Sequence, residues 1–138
     1  MSTPAAKVLL VHSDMPITRL VRQSLEAFCD CQVETTSSSL IAFERALQKD
    51  YKLYLFDLKL ETIDGVLLYE LIGKALQYSQ QGRTVPAVMF FCETQEASRR
   101  DDLLRDARVK GLITTPINIS RLLEKMEGIL PVRGDLPI

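Results

Sequence analysis

The residue in this chain best set up to do chemistry is an aspartate directly behind a short apolar run. Leu53-Tyr54-Leu55-Phe56 is the kind of run that fills a strand buried on both faces, and Asp57 ends it. A carboxylate there falls at the carboxyl edge of a sheet, where open α/β folds bind ligands. It can accept a transferred group, ligate a cation or act as a nucleophile; the plainest alternative is that it ends the strand in water. Few other reactive side chains are present. His12 is the single histidine, followed by Ser13 and Asp14, and the cysteines are Cys29, Cys31 and Cys92. One histidine excludes a multi-histidine metal site. A soft-metal site drawn from His12, Asp14, Asp57 and Cys92 is the remaining zinc arrangement, and it ranks last because it needs a convergent geometry that spacing does not give. His12 itself is expected as an exposed loop residue without a task. The alternative is an imidazolium paired with Asp57, a pH-sensitive lock.

These residues need elements to position them, and the spacing supplies five strand-then-helix units. KVLLV (residues 7–11) reads as a buried strand. Ile17, Leu20, Val21, Leu25 and Phe28 follow at helical period, with Asp14 as cap and Pro16 in the first turn. QVETT (32–36) is a polar, edge-type strand, and Ser37 to Ser39 offer caps for a helix bearing Leu40, Ile41, Phe43 and Leu47. After Asp57, Asp64-Gly65 turns the chain into a helix reaching about Tyr78. PAVMFFC (86–92) is a second doubly buried strand, followed by a charged helix expected to run to Arg108. GLIT (111–114), the Thr115-Pro116 turn, and a last helix capped by Asn118 or Ser120 complete the pattern. Such alternation implies a parallel sheet with helices on both faces and right-handed crossovers. His12 to Asp14, Asp57, residues 91–94 and residues 114–116 then gather at one edge.

Composition narrows the class. The chain has 138 residues, enough for one domain with a substantial core, and its 46% hydrophobic and 25% charged residues are ordinary for a globular protein. The net charge of −1 gives no global field toward nucleic acid or an anionic membrane. No apolar run approaches membrane-spanning length. The start, MSTPAAKVLLV, has neither a basic segment nor a long apolar one, so no secretory signal and a cytoplasmic location are expected. An odd, sparse cysteine set fits reduced, buried thiols better than a disulfide scaffold. No glycine-rich phosphate loop follows the first strand, which argues against a dinucleotide-binding domain. The tail PVRGDLPI is punctuated by Pro and Gly; residues 1–130 are expected to form the domain and 131–138 a tail or the start of a linker, with the Arg-Gly-Asp tripeptide there by chance.

In this order the segments resemble a known family. KVLLVHSDMPITRLVRQSLE, LYLFDLKLETIDGVLLYELI, VPAVMFFCET and GLITTPINISRLLEKM are similar to successive parts of the receiver domains of bacterial two-component response regulators, over nearly the whole chain. The resemblance implies a flavodoxin-like three-layer sandwich: a doubly wound parallel five-stranded sheet of order 2-1-3-4-5. It also implies a cis bond before Pro116, and Asp57 as the phosphoacceptor. The family's two Mg²⁺-holding acids fall on His12 and Ser13, with only Asp14 adjacent. Its phosphate-pairing lysine falls on Thr115, its hydroxyl residue on Phe91 (or, with a one-residue slip, Cys92) and its switch aromatic on Leu112.

Those substitutions matter physically. Mg²⁺ wants hard oxygen ligands, so a site reduced to Asp14 and Asp57 is weak or absent. Phe91 has no hydrogen bond to donate. The expectation is therefore a degenerate, or pseudo-receiver, signalling domain without catalytic turnover or a required cofactor. It would act by protein–protein interaction through the face of the fourth helix, fifth strand and last helix, with a partner or a second copy. Arg99, Arg100, Arg105, Lys110, Arg121 and Lys125 would lie on that face. The alternative is a weakened but genuine receiver phosphorylated at Asp57 by a histidine kinase. A small hydrolase with Asp57 as nucleophile ranks behind both, having no visible base or oxyanion donors.

Overall fold

Five apolar runs pair side by side and in parallel because each is followed by a helix that carries the chain back across the sheet. The computed structural model describes residues 6–79, 83–93 and 100–132. In chain order the elements are β1 (Ala6–Val11), α1 (Met15–Phe28), β2 (Cys31–Thr36), α2 (Ser39–Gln48) and β3 (Leu53–Asp57). They continue with α3 (Gly65–Gln77), β4 (Ala87–Cys92), α4 (Arg100–Leu104), β5 (Val109–Thr114) and α5 (Ile119–Met126). All pairings are parallel and the sheet order is β2-β1-β3-β4-β5, as the resemblance implied. The polar strand β2 is at the edge.

Alternate residues of each strand serve opposite faces, so the sheet divides the core in two. Leu9, Val11, Tyr54, Phe56 and Phe90 pack with residues of α2 and α3. Val8, Leu10, Leu53, Leu55 and Phe91 pack with residues of α1 and α5. The result is a three-layer α/β sandwich. Capping follows the sequence closely: Asp14 accepts from the Ile17 N–H, Ser38 from Ile41, Asp64 from Leu67 and Asn118 from Arg121.

Several details differ from expectation. In α2 the buried residues are Ser39, Ala42 and Ala46, while Leu40, Ile41 and Leu47 are exposed. Small side chains bring this helix close to the sheet and turn its leucines outward. Similarly, Leu20 and Phe28 of α1 and Leu67 and Leu71 of α3 are exposed. The helix expected to run to Arg108 ends at Leu104. There Asp106 accepts hydrogen bonds from the Arg108 backbone N–H and guanidinium, a local turn that competes with helix continuation. The sequence signal at Gly82, and the expected helix start after Glu93, lie outside the described residues. Beyond α5, the Asp30 N–H donates to the Pro131 carbonyl at 2.8 Å, and Val132 bridges to Cys29. The chain is thus still tied to the domain at residues 131–132; Arg133-Gly134-Asp135 lie outside the described residues.

Candidate functional site

The carboxyl edge of the sheet gathers most of the residues singled out by sequence. β1 delivers His12, Ser13 and Asp14, β3 delivers Asp57, β4 delivers Phe91 and Cys92, and β5 leads to Thr115. Together with Lys59 and Glu93 they line one open cavity of about 450 Å³. The Thr115-Pro116 bond is cis. Leu112 is not in this cavity. It is half-buried against the core cluster shared with Leu103 and faces a neighbouring cavity with Arg121 and Lys125.

Asp57 is held by backbone packing as well as by its side-chain contacts. Gly65, the first residue of α3, sits so close behind it that a Cβ there would penetrate the Asp57 carbonyl oxygen. Only glycine allows α3 to start at that distance. The Gly65 N–H donates to the Leu58 carbonyl, and the Leu58 N–H to the Phe91 carbonyl, closing the edge. On the side chain, Oδ1 accepts from the Lys59 N–H at 3.2 Å. Lys59 was not singled out by sequence, and its Nζ reaches the Glu93 carboxylate at 3.4 Å across the cavity mouth. The signal available was its place two residues past Asp57, where a backbone N–H returns to an Asp side chain.

His12 departs most from expectation. It is 7% exposed, not a loose loop residue. Its Nε2 lies 3.5 Å from Asp57 Oδ2, and its Nδ1 accepts the Asp14 N–H at 3.0 Å. A nitrogen that accepts from a backbone N–H carries no proton, so the neutral ring bears its hydrogen on Nε2, the ring atom beside Asp57. The ring also meets the edge of Phe91, with centroids 5.0 Å apart and planes at 86°. Phe91 is the cross-strand neighbour of Asp57. Imidazole, carboxylate and phenyl ring therefore form one packed triad where the sheet ends.

This donor set does not fit Mg²⁺, which takes hard oxygens in near-octahedral geometry. The His12 Nε2 lies 3.5 Å from one oxygen of the Asp57 carboxylate, and the other oxygen accepts from the Lys59 N–H. The Asp14 carboxylate is committed to capping α1 through the Ile17 N–H. The zinc arrangement, ranked last from the sequence, is not assembled either. Among the described residues, no group of three or more His, Cys, Asp or Glu side chains is placed to hold a metal ion. Asp14 faces its own helix, and Cys92 sits 5% exposed at the end of β4. Cys29 and Cys31 are buried thiols beside α1, away from this edge, and burial pushes Cys29 upward in pKa. Of the basic residues expected on the α4–β5–α5 face, Arg121 and Lys125 line the cavity beside Leu112. Arg99 lies outside the described residues, and Arg100 is described only as the start of α4.

Among the described residues, no helix is long and apolar enough to cross a membrane. No curated protein matches the chain in sequence. Solved structures do match in fold. A sensor protein from Polaromonas sp. JS666 is 21% identical, with 91% of this chain and 96% of that one covered and a TM-score of 0.71. The chemotaxis protein CheY4 of Vibrio cholerae is 20% identical over 91% of this chain and 99% of its own, with a TM-score of 0.73. A response regulator receiver domain protein from Clostridium thermocellum is 17% identical, covering 90% and 93%, with a TM-score of 0.72. The family profile described as the response regulator receiver domain matches residues 8–127. The chain belongs to the response regulator receiver domain family, which places it in two-component signalling.

Proposed function

We propose that this receiver domain works as a phosphorylation-independent interaction module rather than as a phosphate-driven switch. One observation carries the reading: the His12 imidazole stands 3.5 Å from Asp57 Oδ2 with Phe91 against the ring, while Oδ1 holds the Lys59 N–H, so neither oxygen faces a fixed cation. A phosphoryl group brings charge that needs fixed cations and donors around it. At the positions the family uses for them, this chain offers an imidazole, a hydroxymethyl, a phenyl ring and the Thr115 side chain. The module would present the α4–β5–α5 face, with Arg105, Lys110, Arg121 and Lys125, to a protein partner or a second copy. It would do so in the cytoplasm, without catalytic turnover and without a resident cofactor.

The second reading, a weakened phosphoacceptor served by a histidine kinase, is favoured by one feature. Asp57 retains the acceptor's place at the end of β3, its side chain is 16% exposed, and it lines an open cavity beside Lys59. An amide NMR titration separates the two. Addition of millimolar Mg²⁺ and then beryllofluoride is expected to leave the resonances around Asp57, α4 and β5 in place. Shifts centred on Asp57 and spreading to α4 and β5 would establish the switch and overturn the first reading.

A further inference from the structure

Gly73 sits in the middle of α3 for no reason of packing. A Cβ there would meet nothing nearer than the Val85 side chain at 3.9 Å, an ordinary contact, and its backbone is not left-handed. Glycine inside a helix weakens it, so this residue breaks a local rule that its surroundings do not impose. Its effect is to keep a groove open. Two cavities, of about 350 and 380 Å³, adjoin at Gly73, Gln77 and Arg108. Along α3 their wall is Val66, Tyr69, Gly73 and Gln77, at i, i+3, i+7 and i+11, a run of about 16 Å. Toward α4 the groove is lined by buried Tyr69, Phe90 and Val109 and half-buried Leu103, with Glu70, Lys74, Asp102 and Asp106 around them. Toward the start of β4 the chemistry changes. Arg83, Arg108, Gln77 and Thr84 line that end, and among the described residues no acid does.

We propose that this groove binds a small organic anion, its apolar body against Tyr69 and Leu103 and its anionic group at the Arg83–Arg108 end. Charge selects the class and the orientation. Both guanidiniums are held in place by groups outside that end. Arg83 donates to the Leu47 and Lys49 carbonyls and to the Asp50 carboxylate. Arg108 is clasped by Asp106 through Nε and Nη2 and lies 5.5 Å over the Tyr69 ring. Its Nη1 has no partner among the described residues. Two arginines fixed in this way, with an amide and a hydroxyl beside them, suit a carboxylate or another oxyanion. Glu70 and Asp102 repel such a group from the α4 end, where the apolar lining takes the rest of the molecule. Each cavity falls in the roughly 300–1,000 Å³ range of small-molecule sites. Neither Asp57 nor Arg121 lines the groove, so the inference stands apart from the reading of the sheet edge.

The test is a fluorescence titration of the full chain at neutral pH with 8-anilinonaphthalene-1-sulfonate. N-phenyl-1-naphthylamine, the same aromatic body without the sulfonate, is titrated beside it. The sulfonate is expected to bind with a Kd of roughly tens of micromolar, and the amine at least about tenfold more weakly. Arg108→Gln should weaken the sulfonate about tenfold and leave the amine unchanged. Gly73→Leu, which fills the groove, should weaken both at least about tenfold. Gly73→Ala should raise the melting temperature by about 3 °C, because the glycine is not there for packing. Amide shifts of the unaltered chain on adding the sulfonate should centre on Gly73, Gln77 and Arg108, a readout that needs no variant to fold. No saturable sulfonate binding overturns the proposal. So does equal binding of the two compounds, binding that Gly73→Leu leaves unmoved, or a melting temperature lowered by Gly73→Ala. Shifts centred instead on Leu67 and Leu71 overturn it as well.

Discussion

Replacing His12 and Asp57 by alanine, singly and together, tests whether the imidazole is a partner of the aspartate or merely its neighbour. The contact brings an imidazole nitrogen to a carboxylate oxygen, and a hydrogen bond between such groups is worth about 1.5–3 kcal/mol at ideal length. At 3.5 Å it is stretched by more than half an ångström, so a coupling of about 1 kcal/mol is the expectation. His12→Ala loses more than that. It also removes the edge contact with Phe91, itself about 0.5–1.5 kcal/mol, and opens a cavity at the end of β1. A total of about 2–4 kcal/mol is expected for this single change. Asp57→Ala should cost about 1–2 kcal/mol, because the Lys59 N–H loses its acceptor as well. Urea denaturation followed by circular dichroism at about pH 8, where an ordinary histidine is neutral, gives the four stabilities. If the double variant equals the sum of the singles to within about 0.3 kcal/mol, the two side chains do not interact and the triad is packing alone. A ¹⁵N spectrum of the imidazole adds an independent check, since Nδ1 must be the unprotonated nitrogen.

Three further outcomes follow from other parts of the fold. Gly65→Ala should destabilise by about 1–3 kcal/mol, measured by thermal melting, because its Cβ meets the Asp57 carbonyl and α3 must move. Thr62 is β-branched and sits at φ 75°, so Thr62→Asn should raise stability by about 1 kcal/mol in the same assay. Burial pushes the phenols of Tyr51, Tyr54 and Tyr69 upward, Tyr69 to about 12. The folded chain holds these protons while the unfolded chain releases them near pH 10. The Tyr69 contribution is therefore complete below about pH 10 and lost as pH rises through about 12, at about 1.4 kcal/mol per unit, while those of Tyr51 and Tyr54 fade over a window that extends higher. Denaturant midpoints that stay level across that window would contradict the burial argument.

Much of this architecture is written in local pattern. Apolar runs in β1, β3 and β4, the Asp14, Ser38, Asp64 and Asn118 caps, and the polar edge strand β2 are all consequences of nearest-neighbour chemistry. The position of Asp57 follows from the strand it ends. What pattern could not convey is which side of an amphipathic helix meets the sheet when both sides are apolar. In α2, Ala42 and Ala46 face inward because small residues permit close approach, a fact set by the sheet and not by the helix. The burial of His12 was hidden for a related reason. The residue after a buried strand usually reaches water, but here Phe91, from a strand far along the chain, closes over it. The end of α4 depended on an Asp106–Arg108 turn whose bonds outweigh helical propensity.

The contact between Gly65 and the Asp57 carbonyl has a consequence for how such a site can change over time or by design. Backbone set against backbone fixes the aspartate's location without reference to any side chain around it. The chassis is therefore separable from the chemistry mounted on it. Exposed Ser13 and half-buried Thr115 can be exchanged for charged groups while the edge keeps its shape, whereas the buried His12 and Phe91 cannot be exchanged without repacking around them. A place in a fold can in this way be kept while the groups around it vary.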